Sequence, residues 1–185
     1  MTITDVVLVV VAALFIGVYV SWRAGRIDRL HTRVDMARAA LDATLLRRSS
    51  VALELATSGL LDPATSLLLA TAVDGTRSGS RPRDLAESDL TRALRAAFSQ
   101  PDFRSSMSGK EGADELLGEV EEATHQVFLA RKFYNDVVAL TRDARGRPLP
   151  RLLRLSGKAP TPVFFEMDDS LIADTPGATL VPPPG

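Results

Sequence analysis

The sequence predicts an all-α protein: an N-terminal transmembrane helix that continues into a cytoplasmic antiparallel helical bundle, followed by a disordered Pro-rich tail. Three observations carry that expectation. Residues 6–22 hold no charge, apolar residues recur at alternating three- and four-residue steps over much of the rest, and six prolines fall within residues 156–185. No stretch alternates apolar and polar residues with period two, so a sheet is not expected.

The anchor comes first. VVLVVVAALFIGVYVSW, seventeen residues from Val6 to Trp22, lies between Asp5 and Arg23. At about 1.5 Å per residue it covers roughly 25 Å, and with Ile3 and flanking groups it crosses a hydrocarbon core of about 30 Å. A cleaved signal peptide is the competing reading, but MTITD has no Lys or Arg, and the run ends in Tyr19, Trp22 and Arg23 rather than a small-residue cleavage site. A buried core helix is the other, and it leaves Tyr19 and Trp22 unexplained at the places of an interfacial aromatic belt. Arg23, Arg26, Arg29, Arg33, Arg38, Arg47 and Arg48 oppose only Asp28, Asp35 and Asp42 on the C-terminal flank. The positive-inside rule then puts the N-terminus outside the plasma membrane and residues 23–185 in the cytoplasm. The same basic stretch is a candidate contact for anionic lipid heads. Ala13 and Gly17 make a small-xxx-small pair that permits two anchors to approach.

Behind the anchor (1–26), a bundle domain is expected over 27–155 and a tail over 156–185. Ile27, Leu30, Val34, Ala37, Leu41, Ala52 and Leu55 form one helical stripe, and no proline interrupts residues 6–58. One helix is therefore expected to run to Ser58-Gly59, where glycine terminates it. Asp62-Pro63 reads as an N-cap and first helical residue, opening a nearly all-apolar helix to about Val73 that is expected to be buried in the bundle. Residues 74–83 read as a loop. Asp84 with Glu87 resembles a capping box for a helix carrying Leu85, Leu90, Ala93, Leu94, Ala97 and Phe98, ending near Gln100. A second loop is expected over 101–111. Then Leu116, Val120, Ala123, Val127, Ala130, Tyr134, Val137 and Thr141 trace the seam of a long coiled-coil-like helix. RGRPLPRLLRLSG permits a short turn around 149–155, and past it order is expected only through Val163, Phe164 and Phe165.

The segment Ala130-Arg131-Lys132-Phe133-Tyr134-Asn135-Asp136-Val137-Val138 resembles the A-R-x-[FY]-Y-N-x-x-V signature of the LemA family of bacterial membrane proteins. Leu45-Leu46-Arg47-Arg48, Pro101-Asp102-Phe103, Leu155-Ser156-Gly157 and Val163-Phe164-Phe165-Glu166 resemble further family features in the same order, over residues 5–166. The resemblance implies a single-pass protein with a cytoplasmic antiparallel bundle and no established enzymatic activity. Two departures stand out: SSVALELATSGLLDPA lacks the family's apolar-proline run, and the tail beyond Glu166 is extra.

Composition excludes several chemistries. With 22 basic and 23 acidic residues the net charge is -1, which gives no electrostatic case for nucleic acid. Absent cysteine rules out disulfides and thiolate chemistry, and His31 and His125 are the only histidines. Ser108-Gly109-Lys110 is not a phosphate loop, since GxxxxGK[ST] and a preceding strand are missing. The acidic run from Glu111 to Glu122 reads as a solvated face near a helix N-terminus, and Glu121-x-x-x-His125 lacks a second ligand pair. No catalytic, cofactor-binding or metal residue is expected. Ala130, Arg131, Phe133, Tyr134, Asn135, Phe164 and Phe165 are the candidate packing or docking positions: Tyr134 as a seam residue whose hydroxyl reaches a loop carbonyl, Asn135 ordering the last loop, the phenylalanines as packing or, if exposed, a docking patch. The expected function is a membrane-anchored, non-enzymatic scaffold or protein-interaction module, alone or as a homo-oligomer. The alternative is an accessory subunit of a membrane enzyme such as a protease or transporter.

Overall fold

A computed structural model describes residues 2–101, 103–146 and 160–168, with the side chains of Val9, Val20, Arg23, Ala24, Arg26, Ile27 and Asp28 outside that description. The regular elements are α1 (Ile3–Thr57), α2 (Pro63–Ser78), α3 (Arg83–Phe98), α4 (Phe103–Met107) and α5 (Ala113–Gly146), with no strand among the described residues. The all-α expectation is met. The predicted turn around 149–155 and the tail past Asp168 lie outside the described residues.

Local chemistry sets most helix ends. The long Pro-free run forms α1, which stops before Gly59, a glycine at φ +76°. Asp62 caps α2, its Oδ1 accepting from the amides of Ala64 at 3.0 Å and Thr65 at 3.1 Å. The Thr65 side-chain hydroxyl, then the Thr65 and Ala64 amides, hold the Asp62 carboxyl below the usual range. Three boundaries differ from expectation. α2 continues through the supposed loop to Ser78 and ends on Gly79 at φ +62°. α3 starts at Arg83 after Pro82, which makes no side-chain cap, so Asp84 is inside the helix and no Asp84–Glu87 capping box forms. The expected loop 101–111 contains the short α4, placed by burial of Phe103 and Met107.

The contacts divide the chain into two compact units. One comprises residues 1–38 and 133–164. In it Val34 and Ala37 of α1 and Tyr134, Val137, Val138 and Thr141 of α5 are buried. Its N-terminal portion of α1 exposes apolar side chains from Ile3 to Trp22. Among the described residues no helix is long and apolar enough to cross a membrane; the side chains of Val9 and Val20, which belong to the run, lie outside them.

The other unit comprises residues 39–132 and 165–185, and the main core lies there. Val51, Ala52, Leu55, Leu69, Val73, Leu90, Leu94, Ala97, Phe103, Leu117 and Val120 are its chief members. α2 packs against α3 and α3 against α4. The Phe98 and Phe103 rings meet at 4.9 Å in a tilted arrangement. Two seam assignments are corrected here. On α2 only Thr65, Leu69 and Val73 are buried, while Leu67 and Leu68 are exposed: a single packed side uses one stripe, however apolar the rest of the helix is. On α5, Leu117 takes the buried place expected of Leu116, which is half-buried, and Ala113 is buried one turn earlier.

Candidate functional site

Four places on the molecule combine polar or aromatic groups with defined geometry. The first is the aromatic-amide stretch of α5. Tyr134 is 3% exposed, and its hydroxyl donates to the Val163 carbonyl at 2.8 Å. A phenol on the buried face thus reaches the extended segment 160–164, which belongs to the same unit. Arg145 reinforces the junction: its Nη1 donates to the Pro160 carbonyl at 2.9 Å and lies 3.1 Å from His31 Nε2. The Arg142 guanidinium sits 5.1 Å above the Phe164 ring, within cation–π range. Phe164 is half-buried, as is Asn135.

The remaining predicted residues divide. Ala130 and Arg131 are half-buried on α5 in the other unit, where Phe165 is half-buried as well. Phe133 departs from the packing expectation: it is 60% exposed, and Leu129 and Leu140 are exposed too. Positions 129, 133 and 140 fall within about 40° of one another at 100° per residue, so they share one outer stripe.

The second place was not anticipated. Arg48, read in the sequence as a lipid-facing base, is 1% exposed. Its Nη2 donates to Glu87 Oε2 at 2.6 Å and to the Glu87 carbonyl at 3.2 Å, and its Nη1 donates to Thr91 Oγ1 at 2.9 Å. Thr91 in turn donates to the Glu87 carbonyl at 3.1 Å. Among the described residues Arg48 Nε has no hydrogen-bond partner. Burial pushes the Glu87 carboxyl up against the opposing pull of Arg48, and burial pushes the Arg48 guanidinium down. A sequence signal for this cluster exists. Positions 41, 45, 48, 52 and 55 follow steps of four, three, four and three, and positions 87, 90, 94 and 97 follow three, four and three. A charge sits on each seam, and opposite charges on two seams can enter a core only as a pair.

Two members of the acidic run make ion pairs. Glu121 pairs with Arg104 and Glu119 with Arg47 at 3.5 Å. His125 is exposed and stacks near Phe128 at 6.3 Å. Among the described residues no group of three or more His, Asp or Glu side chains is placed to hold a metal. Lys110, in the rejected phosphate-loop triplet, donates to the Leu60 carbonyl at 2.8 Å.

The third place is the extended segment 165–168. Met167 is buried, the Asp168 amide donates to Ser88 Oγ at 3.0 Å, and the Asp168 carboxylate meets Arg95 at 3.4 Å. The fourth is a groove of about 400 Å³ between α2 and α3. Ala72, Gly75, Ala93 and Ala96 are among the small residues that line it, with Leu68 alongside. Asp89 lies on it with Arg81 at 2.5 Å and Arg92 as its two partners.

Comparison with known proteins gives no match to a family model, to a curated protein or to a solved structure.

Proposed function

We propose that the chain is a single-pass, membrane-anchored helical module that acts through protein contacts at the cytoplasmic face and not through catalysis. The observation that supports the anchor is the exposure of α1 around its whole circumference. Leu14, Phe15 and Ile16 stand at successive 100° steps, and each is more than 60% exposed. Among the described side chains, twelve large apolar ones from Ile3 to Trp22 are exposed. A one-sided protein contact covers a stripe of a helix, whereas a bilayer covers every side. Each aliphatic or aromatic side chain gains on the order of 2 kcal/mol on leaving water, so the segment strongly favours such a medium.

The interaction reading is supported by what the chain presents elsewhere. The buried polar cluster of Arg48, Glu87 and Thr91 ties α1 to α3. The exposed α5 stripe and the α2/α3 groove offer apolar surface. The LemA resemblance belongs to the same reading.

The test is fractionation of the tagged full-length chain. Retention in the membrane pellet through alkaline carbonate, with loss of retention when residues 3–22 are removed, is the expected result; release of the intact chain by carbonate refutes the anchor. Orientation is read separately with Ser108→Cys in the cysteine-free chain, on an exposed turn. A membrane-impermeant maleimide leaves it unlabelled in intact cells and labels it after lysis. Labelling in intact cells refutes the cytoplasmic placement.

A further inference from the structure

The walls of the α2/α3 groove are helices whose backbone hydrogen bonds are made internally, so they offer an incoming chain no edge to pair with. Its floor is apolar, with Ala72 and Gly75 on α2 and Ala86, Ala93 and Ala96 on α3. A segment that enters it must carry its own backbone hydrogen bonds, which a helix does and an extended peptide does not. At about 1.5 Å per residue, the lining extends about 10 Å along α2, from Leu68 to Gly75, and about 15 Å along α3, from Ala86 to Ala96. About two to three turns of a third helix cover that length. Small side chains on the floor let such a helix come close, and its large apolar side chains at i, i+3 or i+4, and i+7 fill the depth. Leu85 is exposed and shares one side of α3 with Asp89, Arg92 and Ala96, all within about 60° at 100° per residue, so the apolar surface continues past the groove.

Charge selects among helices. The charged residues of the lining are Arg81, Asp89 and Arg92. Arg81 binds Oδ2 of Asp89 and Arg92 binds Oδ1, so both carboxylate oxygens are engaged and the two guanidiniums keep one unmatched positive charge. The Arg81 and Arg92 side chains are 57% and 62% exposed, and each guanidinium has donors left for a second carboxylate. A second copy of the same face would set four guanidiniums against two carboxylates, whereas an acidic helix supplies the missing charge. We propose that the α2/α3 groove is the docking site for an acidic amphipathic helix of another protein, with large apolar side chains against Ala93 and Ala96 and an aspartate or glutamate toward Arg92. This names the partner class for the protein-contact reading above and rests on that reading.

The test is photo-crosslinking of the full-length chain in its native cells, with the photoreactive residue benzoylphenylalanine replacing Leu85 beside the groove or, separately, Leu140 on the exposed side of α5. Cross-linked peptides are then sequenced. The expected adduct at position 85 is a foreign peptide with apolar residues at helical spacing and an acidic residue on their flank. Ala96→Leu, which fills the floor from an exposed position, and Arg92→Glu should each cut its yield about tenfold at unchanged helical circular dichroism, while Arg92→Lys largely keeps it. Adducts at 85 only with lipid or with a second copy overturn the proposal, as do a foreign peptide without acidic residues and a yield unchanged by Ala96→Leu or Arg92→Glu. A protein adduct at 140 with none at 85 overturns the groove assignment and leaves the protein-contact reading standing. No protein adduct at either position overturns both.

Discussion

Replacing Glu87 with leucine removes the carboxylate bound to a guanidinium that is 1% exposed. Arg48 keeps its bond to Thr91 Oγ1 and can keep that to the backbone carbonyl at position 87, but nothing compensates its charge, and its Nε is already without a partner. Breaking a buried pair from one side costs about 3–5 kcal/mol. For a chain of this size that corresponds to a fall in Tm of roughly 6–20 °C. Arg48→Met leaves the opposite orphan, a carboxylate that escapes by taking a proton. The double variant Arg48→Met/Glu87→Leu removes both charges and the unpartnered Nε, and apolar replacements of buried pairs are commonly neutral or stabilising. Its stability should return to within about 1 kcal/mol of the parent or exceed it, so the cycle yields a coupling of several kcal/mol. Thermal and urea unfolding of the full-length chain in mild detergent, followed by helical circular dichroism, reads all four proteins. Additive single effects refute the reasoning, as does Glu87→Leu at parental stability. The pH dependence supplies a second check. Burial raises the folded Glu87 value above the unfolded one, so its linked stability is fully present below the unfolded value and is lost as pH rises through the folded value. In Arg48→Met the opposing pull of the cation is gone, and the loss as pH rises through the folded value becomes larger than in the parent.

Other substitutions probe the helix ends and the aromatic positions. Tyr134→Phe should cost about 1 kcal/mol, the worth of the bond to the Val163 carbonyl, and speed amide exchange in residues 160–164; unchanged exchange would show that the hydroxyl does not hold the segment. Phe103→Ala, at a position 5% exposed, should cost about 3–5 kcal/mol, while Phe133→Ala should stay within about 0.5 kcal/mol of the parent in the same unfolding assay. Asp62→Ala should lower Tm at neutral pH. Because the folded Asp62 value is depressed, the difference from the parent is present above the unfolded carboxylate value and shrinks as pH falls through the folded one, which a pH series of melting curves checks.

The all-helical class, the unbroken α1, the Asp62 cap and the long α5 were legible in the sequence because each is set within one or two turns of chain. Proline exclusion, apolar period and capping chemistry are local causes. The apolar run of residues 6–22 is likewise a property of composition. Other features arose only when helices met. Asp84 and Glu87 have the spacing of a capping box, yet α3 begins one residue earlier at Arg83, and Glu87 lies on the buried face, where it pairs with Arg48 of α1. Leu67 and Leu68 are as apolar as Leu69 and are left outside, since only one face of α2 meets α3. Tyr134 and Val163 stand 29 residues apart, and no local rule pairs a phenol with a particular distant carbonyl. Periodicity states which positions along a helix share a face; which neighbour that face meets, and whether a charge on it goes inside with a partner, is settled by packing between segments far apart in the chain.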